Sequence, residues 1–211
     1  MSHSIENKPV NLRDQLKSLR SAQDPAETQR GALLMRGRLF TWLATTREAM
    51  AKAGRRAPEN IAAFWPLAQE PDLVPLLQQW ATDEHLNLSL PVVTGPGQPL
   101  EFRRWTPETP MKTGAFGIGE PDAELAPNPD VILVPVLGFT RQGDRVGYGK
   151  GYYDRTLAKL DAEGHRFIAI GIGWACGDID RLPEVNYQPQ AHDYPLDAIL
   201  TDKGWALKLP D

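Results

Sequence analysis

The stretch "VILVPVLGFTRQGDRVGYGKGYYDRTLAKLDAEGHRFIAIGIG", residues 131–173, constrains the fold more than any other part of the chain. At its ends stand two short runs, "VILVPVL" (131–137) and "FIAIGIG" (167–173), with apolar residues on consecutive positions. Strands of this kind are buried on both faces, the condition of a parallel sheet covered by helices on either side. Between them "YYDRTLAKLDAEG" reads as a helix stopped at Gly164, because glycine takes the left-handed conformation that ends helices without a β-carbon penalty. Strand, loop, helix, strand is a βαβ unit, and it demands a parallel pair within an α/β domain.

The flanking sequence extends this pattern. Leu12, Leu16 and Leu19 share one face of a first helix, and Pro25 to Lys52 reads as a long second one. "NIAAFW" (60–65) is a strand, after which Pro71 and Asp72 open a helix carrying Leu73, Leu76, Leu77 and Trp80 at helical spacing. "LSLPVV" (88–93) and "EFRRW" (101–105) are further strands, the first expected at a sheet edge because Pro91 has no N–H to give. The Pro/Gly-rich residues 106–130 are expected to order around a ligand, and "DAILTD" (197–202) is the last strand. The expectation is one α/β domain over residues 1–211, a three-layer α/β/α sandwich with a mainly parallel central sheet, with residues 1–7 as a flexible tail.

Composition narrows the function. Hydrophobic residues make up 41% and charged residues 24% of the 211, as in a globular protein with a real core. With a net charge of -4 there is no overall basic field to attract nucleic acid or an anionic membrane, so an anion site must be built locally and small-molecule partners are favoured. No run approaches the length of a membrane span, and "MSHSIENKPV" has no signal-peptide character, so a cytoplasmic location is expected, with a monomer as the simplest state. Cys176 is the single cysteine and excludes an internal disulfide or a cysteine-based zinc cluster; it reads as a small apolar filler. His3, His85, His165 and His192 show no metal-ligand spacing.

In an open parallel sheet, ligands gather at the carboxyl ends of the strands, and "VILVPVL" leads straight into "GDRVGYGKGYYD". Alternating Gly147, Gly149 and Gly151 let the backbone approach a ligand closely and turn its N–H groups toward a phosphate. The helix that follows adds its positive end, and Lys150 and Arg145 add full charges. Asp154 would repel an anion there unless Mg²⁺ were bound between them, so the combination suggests MgATP. The loop is neither the dinucleotide fingerprint G-x-G-x-x-G nor a Walker A, which needs Ser or Thr where Gly151 follows Lys150. A plain glycine-rich turn with solvated Lys150 and Arg145 is the structural alternative, against which the aligned lysine, tyrosine pair and aspartate weigh.

"GFTRQGDRVGYGKGYYDRTL" closely resembles the signature of the 5-formyltetrahydrofolate cyclo-ligases, also called methenyltetrahydrofolate synthetases. "IAAFWPLAQEPD" (61–72) is similar to that family's strand and substrate-contacting loop, and "AHDYPLDAILTD" (191–202) to its C-terminal strand segment. The resemblance implies a three-layer α/β enzyme that closes 5-formyltetrahydrofolate to 5,10-methenyltetrahydrofolate with ATP and Mg²⁺, releasing ADP and phosphate. Carried over by position, the ATP site is Lys8, Arg13, Arg145, Val146, Gly147, Tyr148, Gly149, Lys150, Gly151, Tyr152 and Tyr153, with Lys150 and Arg145 catalytic. The folate site is Trp65, Glu70, Met111 and Lys112 with Tyr148 to Tyr152, and Asp154 with Asp197 hold the metal. The chain departs from the family pattern in placing Lys8 five residues before Arg13, with Pro9 between, and in having Thr140 where aspartate is common.

Two other readings stay open on the residues alone. A sugar-phosphate isomerase or CoA-transferase would also use a glycine loop at a strand end, with Glu70 as its base and no ATP. A non-catalytic folate- or nucleotide-binding homologue would keep the fold and lose turnover.

Overall fold

The computed structural model describes residues 11–183, 185 and 187–209. Lys8 and His3 lie outside the described residues. Four α-helices and eleven strands follow in the order α1 (Leu12–Ser21), α2 (Pro25–Lys52), β1 (Asn60–Ala62), α3 (Val74–Trp80), β2 (Asn87–Val92), β3 (Glu101–Arg104), β4 (Met111–Thr113), β5 (Gly119–Pro121), β6 (Val131–Pro135), β7 (Gly138–Phe139), β8 (Arg145–Val146), α4 (Tyr152–Ala162), β9 (Ile168–Ile172), β10 (Ala198–Thr201) and β11 (Gly204–Leu207).

Side-chain caps explain where the first helices begin. Asn11 Oδ1 accepts from the Arg13 N–H at 3.0 Å, and Asp24 Oδ1 accepts from Ala26 and Glu27 N–H groups at 2.9 and 3.1 Å, with Pro25 pre-set in the first turn. Gly164 ends α4 at φ 74°, as its position predicts.

Seven strands form one sheet in the order β11-β10-β9-β6-β1-β2-β3, parallel throughout its five central strands and antiparallel only where β3 and β11 join. Alternation along β6 settles the layering. Val131 and Leu133 join a cluster with Met35, Leu39 and Leu43 of α2 and Leu76, Leu77 and Trp80 of α3. Ile132 and Val134 face the other way, onto Leu157 and Leu160 of α4. Helices therefore cover both faces, and the three-layer expectation holds.

Three expectations are corrected. Pro91 is not at an edge: β2 pairs with β1 on one side and β3 on the other. Ser89 O accepts from Ala63 N on the β1 side, and Pro91, two residues on, directs its missing N–H the same way, past the end of β1. Residues 106–130 carry structure of their own, the antiparallel hairpin of β4 and β5. The sheet also continues beyond β10 into β11, a short antiparallel edge strand with a register shift between Ile199 and Leu200.

The chain leaves β1 toward β2 through α3, and leaves β6 in the opposite direction toward β9 through α4. The β1/β6 boundary is thus the topological switch point, where a crevice opens at the carboxyl ends of the strands.

Candidate active site

A cavity of about 650 Å³ lies at this switch point, a normal size for small ligands. One wall comes from the segment after β1 (Phe64, Trp65, Leu67, Glu70), another from the glycine loop (Arg145 to Asp154), and a third from the tip of the β4–β5 hairpin. The carboxyl end of β6, at Pro135, forms part of the floor.

The glycine loop is held at both ends. Arg145 sits on β8 opposite Phe139 of β7, and its guanidinium pairs with Asp154 in the first turn of α4 at 2.8 Å. Gly151 caps α4 with φ 63°, a left-handed geometry that costs a side-chain-bearing residue energy. Gly147 is needed for another reason: a β-carbon there would lie 2.7 Å from Arg145 Nη1. Arg13 of α1 donates from Nε to Gly147 O at 3.0 Å. Thr140 anchors the preceding turn by donating to Asp144 Oδ2 at 2.8 Å.

Positive charge and unmet polar capacity meet at this wall. Lys150 is exposed, its ammonium 5.8 Å from the centre of the Phe116 ring. Tyr152 packs against Phe116 with ring centroids 6.2 Å apart, and Arg155 lies over the Tyr152 ring. Phe116 holds a left-handed φ of 59° at the hairpin tip and is 63% exposed, a combination of strain and exposure more typical of a functional residue than of a packing one. Arg145 Nε and Tyr153 Oη are buried without a hydrogen-bond partner among the described residues.

The opposite end is apolar around the buried Glu70 carboxylate. Trp65 packs on Trp105 at 6.3 Å, and Met111 approaches Trp65 across Gly119. Glu70 is 8% exposed; its Oε2 accepts from the Leu67 N–H and its Oε1 from the Tyr148 hydroxyl, both at 2.9 Å. Burial pushes the Glu70 carboxyl above its ordinary value, opposed by those two hydrogen bonds and by the Arg20 guanidinium. The bend that presents Glu70 has Gln69 at φ 71°, pinned by the Trp174 indole N–H donating to Gln69 O at 2.7 Å. Glu120 of β5 is a second buried carboxylate on the wall, its Oε1 accepting from the Val93 N–H at 3.1 Å.

Of the residues singled out from sequence, Arg13, Trp65, Glu70 and the whole run from Arg145 to Asp154 line the cavity. Met111 and Lys112 are not among the lining residues: the Met111 methyl and the Trp65 ring both lie beside Gly119, and Lys112 is exposed on β4 and paired with Asp122 at 3.0 Å. Asp197 is not brought to the cavity. It precedes β10, level with Ala169 near the amino end of β9, and its Oδ2 accepts the Ala169 N–H at 2.7 Å. Among the described residues no three His, Cys, Asp or Glu side chains gather as a metal cluster. Arg20, Phe116 and Glu120 were missed: a helical arginine gives no local sign of burial, and the hairpin that presents the other two lies in a stretch whose Pro/Gly content hides its strands.

The family model described as the 5-formyltetrahydrofolate cyclo-ligase family matches residues 5–202. The chain belongs to this family. It is 32% identical over 162 residues to the 5-formyltetrahydrofolate cyclo-ligase of Haemophilus influenzae, covering 74% of this chain and 82% of the relative. To the same enzyme of Mycolicibacterium smegmatis it is 31% identical over 153 residues, covering 68% and 74% of the two chains. The solved structure of the Aquifex aeolicus 5,10-methenyltetrahydrofolate synthetase superposes with a TM-score of 0.69 at 27% identity, covering 95% of this chain and 92% of that one. Cyclo-ligases are ATP-dependent ligases.

Proposed function

We propose that this cyclo-ligase converts 5-formyltetrahydrofolate to 5,10-methenyltetrahydrofolate at the switch-point cavity, consuming ATP, as a cytoplasmic monomer. The observation that carries the reading is the continuity of one cavity from the Arg145/Lys150 wall to the buried Glu70 carboxylate. Triphosphate would lie along the glycine loop, facing Arg13, Arg145 and Lys150. The folate's fused ring would enter between Trp65 and Phe116, its N–H donors toward Glu70.

The formyl oxygen is a poor leaving group until it is esterified. Transfer of the γ-phosphoryl group breaks its bond to the ADP oxygen and forms a P–O bond to the formyl oxygen. N10 of the folate then attacks the formyl carbon, phosphate departs with that oxygen, and N10 loses its proton, leaving the methenyl cation. Phosphoryl transfer asks the protein for positioning and charge neutralisation rather than a covalent partner. Arg145 and Lys150 supply charge, the loop N–H groups supply direction, and the apolar wall around Trp65 keeps N10 close to the activated carbon.

The residues present suit a magnesium ion carried by the nucleotide. Asp154 Oδ2 is taken by Arg145, but among the described residues its Oδ1 accepts only a long 3.3 Å bond from Tyr194 N, and Mg²⁺ commonly uses one carboxylate together with phosphate oxygens and water. Asp154 would hold it, and when bound it would neutralise charge on the transferring phosphates. Asp197 has no part in this reading.

The test is to follow the near-ultraviolet absorbance of the methenyl product with 5-formyltetrahydrofolate in the presence and absence of MgATP. ATP-dependent product with equal ADP supports the reading. Binding of both substrates without product would instead make the protein a non-catalytic homologue.

A further inference from the structure

Arg20 is the least expected member of the molecule's buried interior. It ends the inward face of α1 and is 5% exposed. A buried guanidinium is costly unless its donors are used, and here they go to a carbonyl and a phenol rather than to a carboxylate. Nη2 donates to Val136 O at 2.6 Å, just past the carboxyl end of β6, and Nη1 donates to the Tyr148 hydroxyl at 2.7 Å. The Tyr148 hydroxyl in turn donates to Glu70 Oε1 at 2.9 Å.

The direction of this chain is fixed by the donor inventory. A guanidinium can only donate, and a phenol has one proton. With Arg20 occupying a lone pair on the phenol oxygen, the Tyr148 proton must go to Glu70. Three elements far apart in sequence, α1, the glycine loop and the segment after β1, are thereby tied to one carboxylate. The charge of Arg20 reaches Glu70 through a polarised hydroxyl, which strengthens the bond that holds the carboxylate. The hydrogen-bonded members of this group are Arg20 from α1, Tyr148 from the loop and Glu70 itself, with the Leu67 N–H on the remaining carboxylate oxygen, and the Tyr153 hydroxyl and Cys176 thiol lie close enough to feel the Glu70 and Arg20 charges.

We propose that Arg20 is a positioning residue for folate recognition: acting through the Tyr148 hydroxyl, it orients the Glu70 carboxylate that receives the folate ring. This rests on the reading that Glu70 contacts folate. Arg20 is not among the residues that line the cavity. Arg13, seven residues earlier on the same helix, holds the neighbouring loop residue at Gly147 O, so the nucleotide-facing and folate-facing halves of the loop hang from one helix at two adjacent points.

The experiment measures KM for 5-formyltetrahydrofolate and for ATP, with kcat, in Arg20→Met, Arg20→Lys, Tyr148→Phe, Glu70→Gln and the Arg20→Met/Tyr148→Phe pair. Loss of one hydrogen bond to a charged group predicts a rise of about tenfold in folate KM for Arg20→Met and for Tyr148→Phe. ATP KM in Arg20→Met should stay within about twofold, and the double variant should be no worse than Tyr148→Phe alone, as expected of residues in one network. Arg20→Lys, which keeps the charge and a single donor nitrogen, should recover part of the loss. Equal changes in both KM values for Arg20→Met, or additive effects in the double variant, would reduce Arg20 to a structural residue and overturn the proposal. If Arg20→Met does not fold, Tyr148→Phe and Arg20→Lys decide it, since an unchanged folate KM in both removes the chain. A Glu70→Gln variant with normal folate KM overturns the Glu70 reading and this proposal with it; a raised KM there with normal Tyr148→Phe kinetics overturns this proposal alone.

Discussion

Arg145 and Asp154 meet at 2.8 Å beneath the glycine loop, their side chains 6% and 12% exposed, and they bracket the loop they stabilise. Asp154→Asn leaves the guanidinium buried without its counter-charge, and breaking such a pair costs about 3–5 kcal/mol. Urea unfolding should show a loss of that order, and catalytic activity should fall with it. A variant less than about 1 kcal/mol weaker than the parent would mean that the pair behaves as an exposed one.

Lys150 should behave in the opposite way. It is exposed, so Lys150→Ala should leave the urea midpoint nearly unchanged, within about 0.5 kcal/mol. Removing a charge aimed at developing phosphoryl charge should cost about 100-fold or more in kcat/KM. A folded variant with a normal rate would take Lys150 out of the mechanism.

Gly147→Ala tests the close approach of Arg145. The added methyl would lie 2.7 Å from Nη1, so either the guanidinium or the loop backbone must move. Displacement of a charged group by about 1 Å is worth up to about 100-fold in rate, and the loss should appear in kcat rather than in the folate KM.

The buried Glu70 carboxyl gives stability a pH dependence of known sign. Its folded pKa is raised above the ordinary 4.5 by burial, so between those values the folded state binds more protons than the unfolded chain. The contribution is favourable below the unfolded pKa and is lost as pH rises through the folded one. Compared with Glu70→Gln, the parent should therefore lose stability as pH rises from about 4.5. A stability difference independent of pH would show that the carboxyl is not perturbed.

Phe116 separates stability from activity. Its φ of 59° suits glycine better than phenylalanine, so Phe116→Gly should relieve about 1 kcal/mol of left-handed strain, partly offset by the greater freedom of the unfolded chain. It should also raise the folate KM, since the ring that faces Lys150 and Tyr152 is gone. Calorimetry and kinetics on one sample check both. A less active and clearly less stable variant would show that the ring serves packing alone.

What the sequence makes legible follows from which interactions are local. β6, β9 and α4 are plain because their burial is written in consecutive apolar runs and in a glycine stop, and α2 is plain as one long helical stretch starting at Pro25. The glycine loop is legible because phosphate-binding geometry demands small residues and charges within a few positions. Arg20, Phe116 and Glu120 were not legible, because their roles depend on partners from 27 to 128 residues away or on a hairpin of three-residue strands. Asp197 shows the reverse: a strand-flanking aspartate carried over by position is turned toward the Ala169 N–H. Pro91 misled because being paired on both sides and donating on both sides are separate matters, and β1 ends before the donor is missed.

The attachment of α1 to the glycine loop also sets a timetable for synthesis. Arg13 and Gly147 are 134 residues apart, and Arg20 and Tyr148 are 128 apart. At about 5–20 residues per second of translation, the first helix waits roughly ten seconds for the residues it will hold. A ten-residue helix has little stability of its own in water. Although α1 is made before the other described elements, it is among the last of them to find its place, and a chain halted before residue 143 has no loop for Arg13 and Arg20 to grip. The grip of α1 on the glycine loop therefore forms in one late step of synthesis.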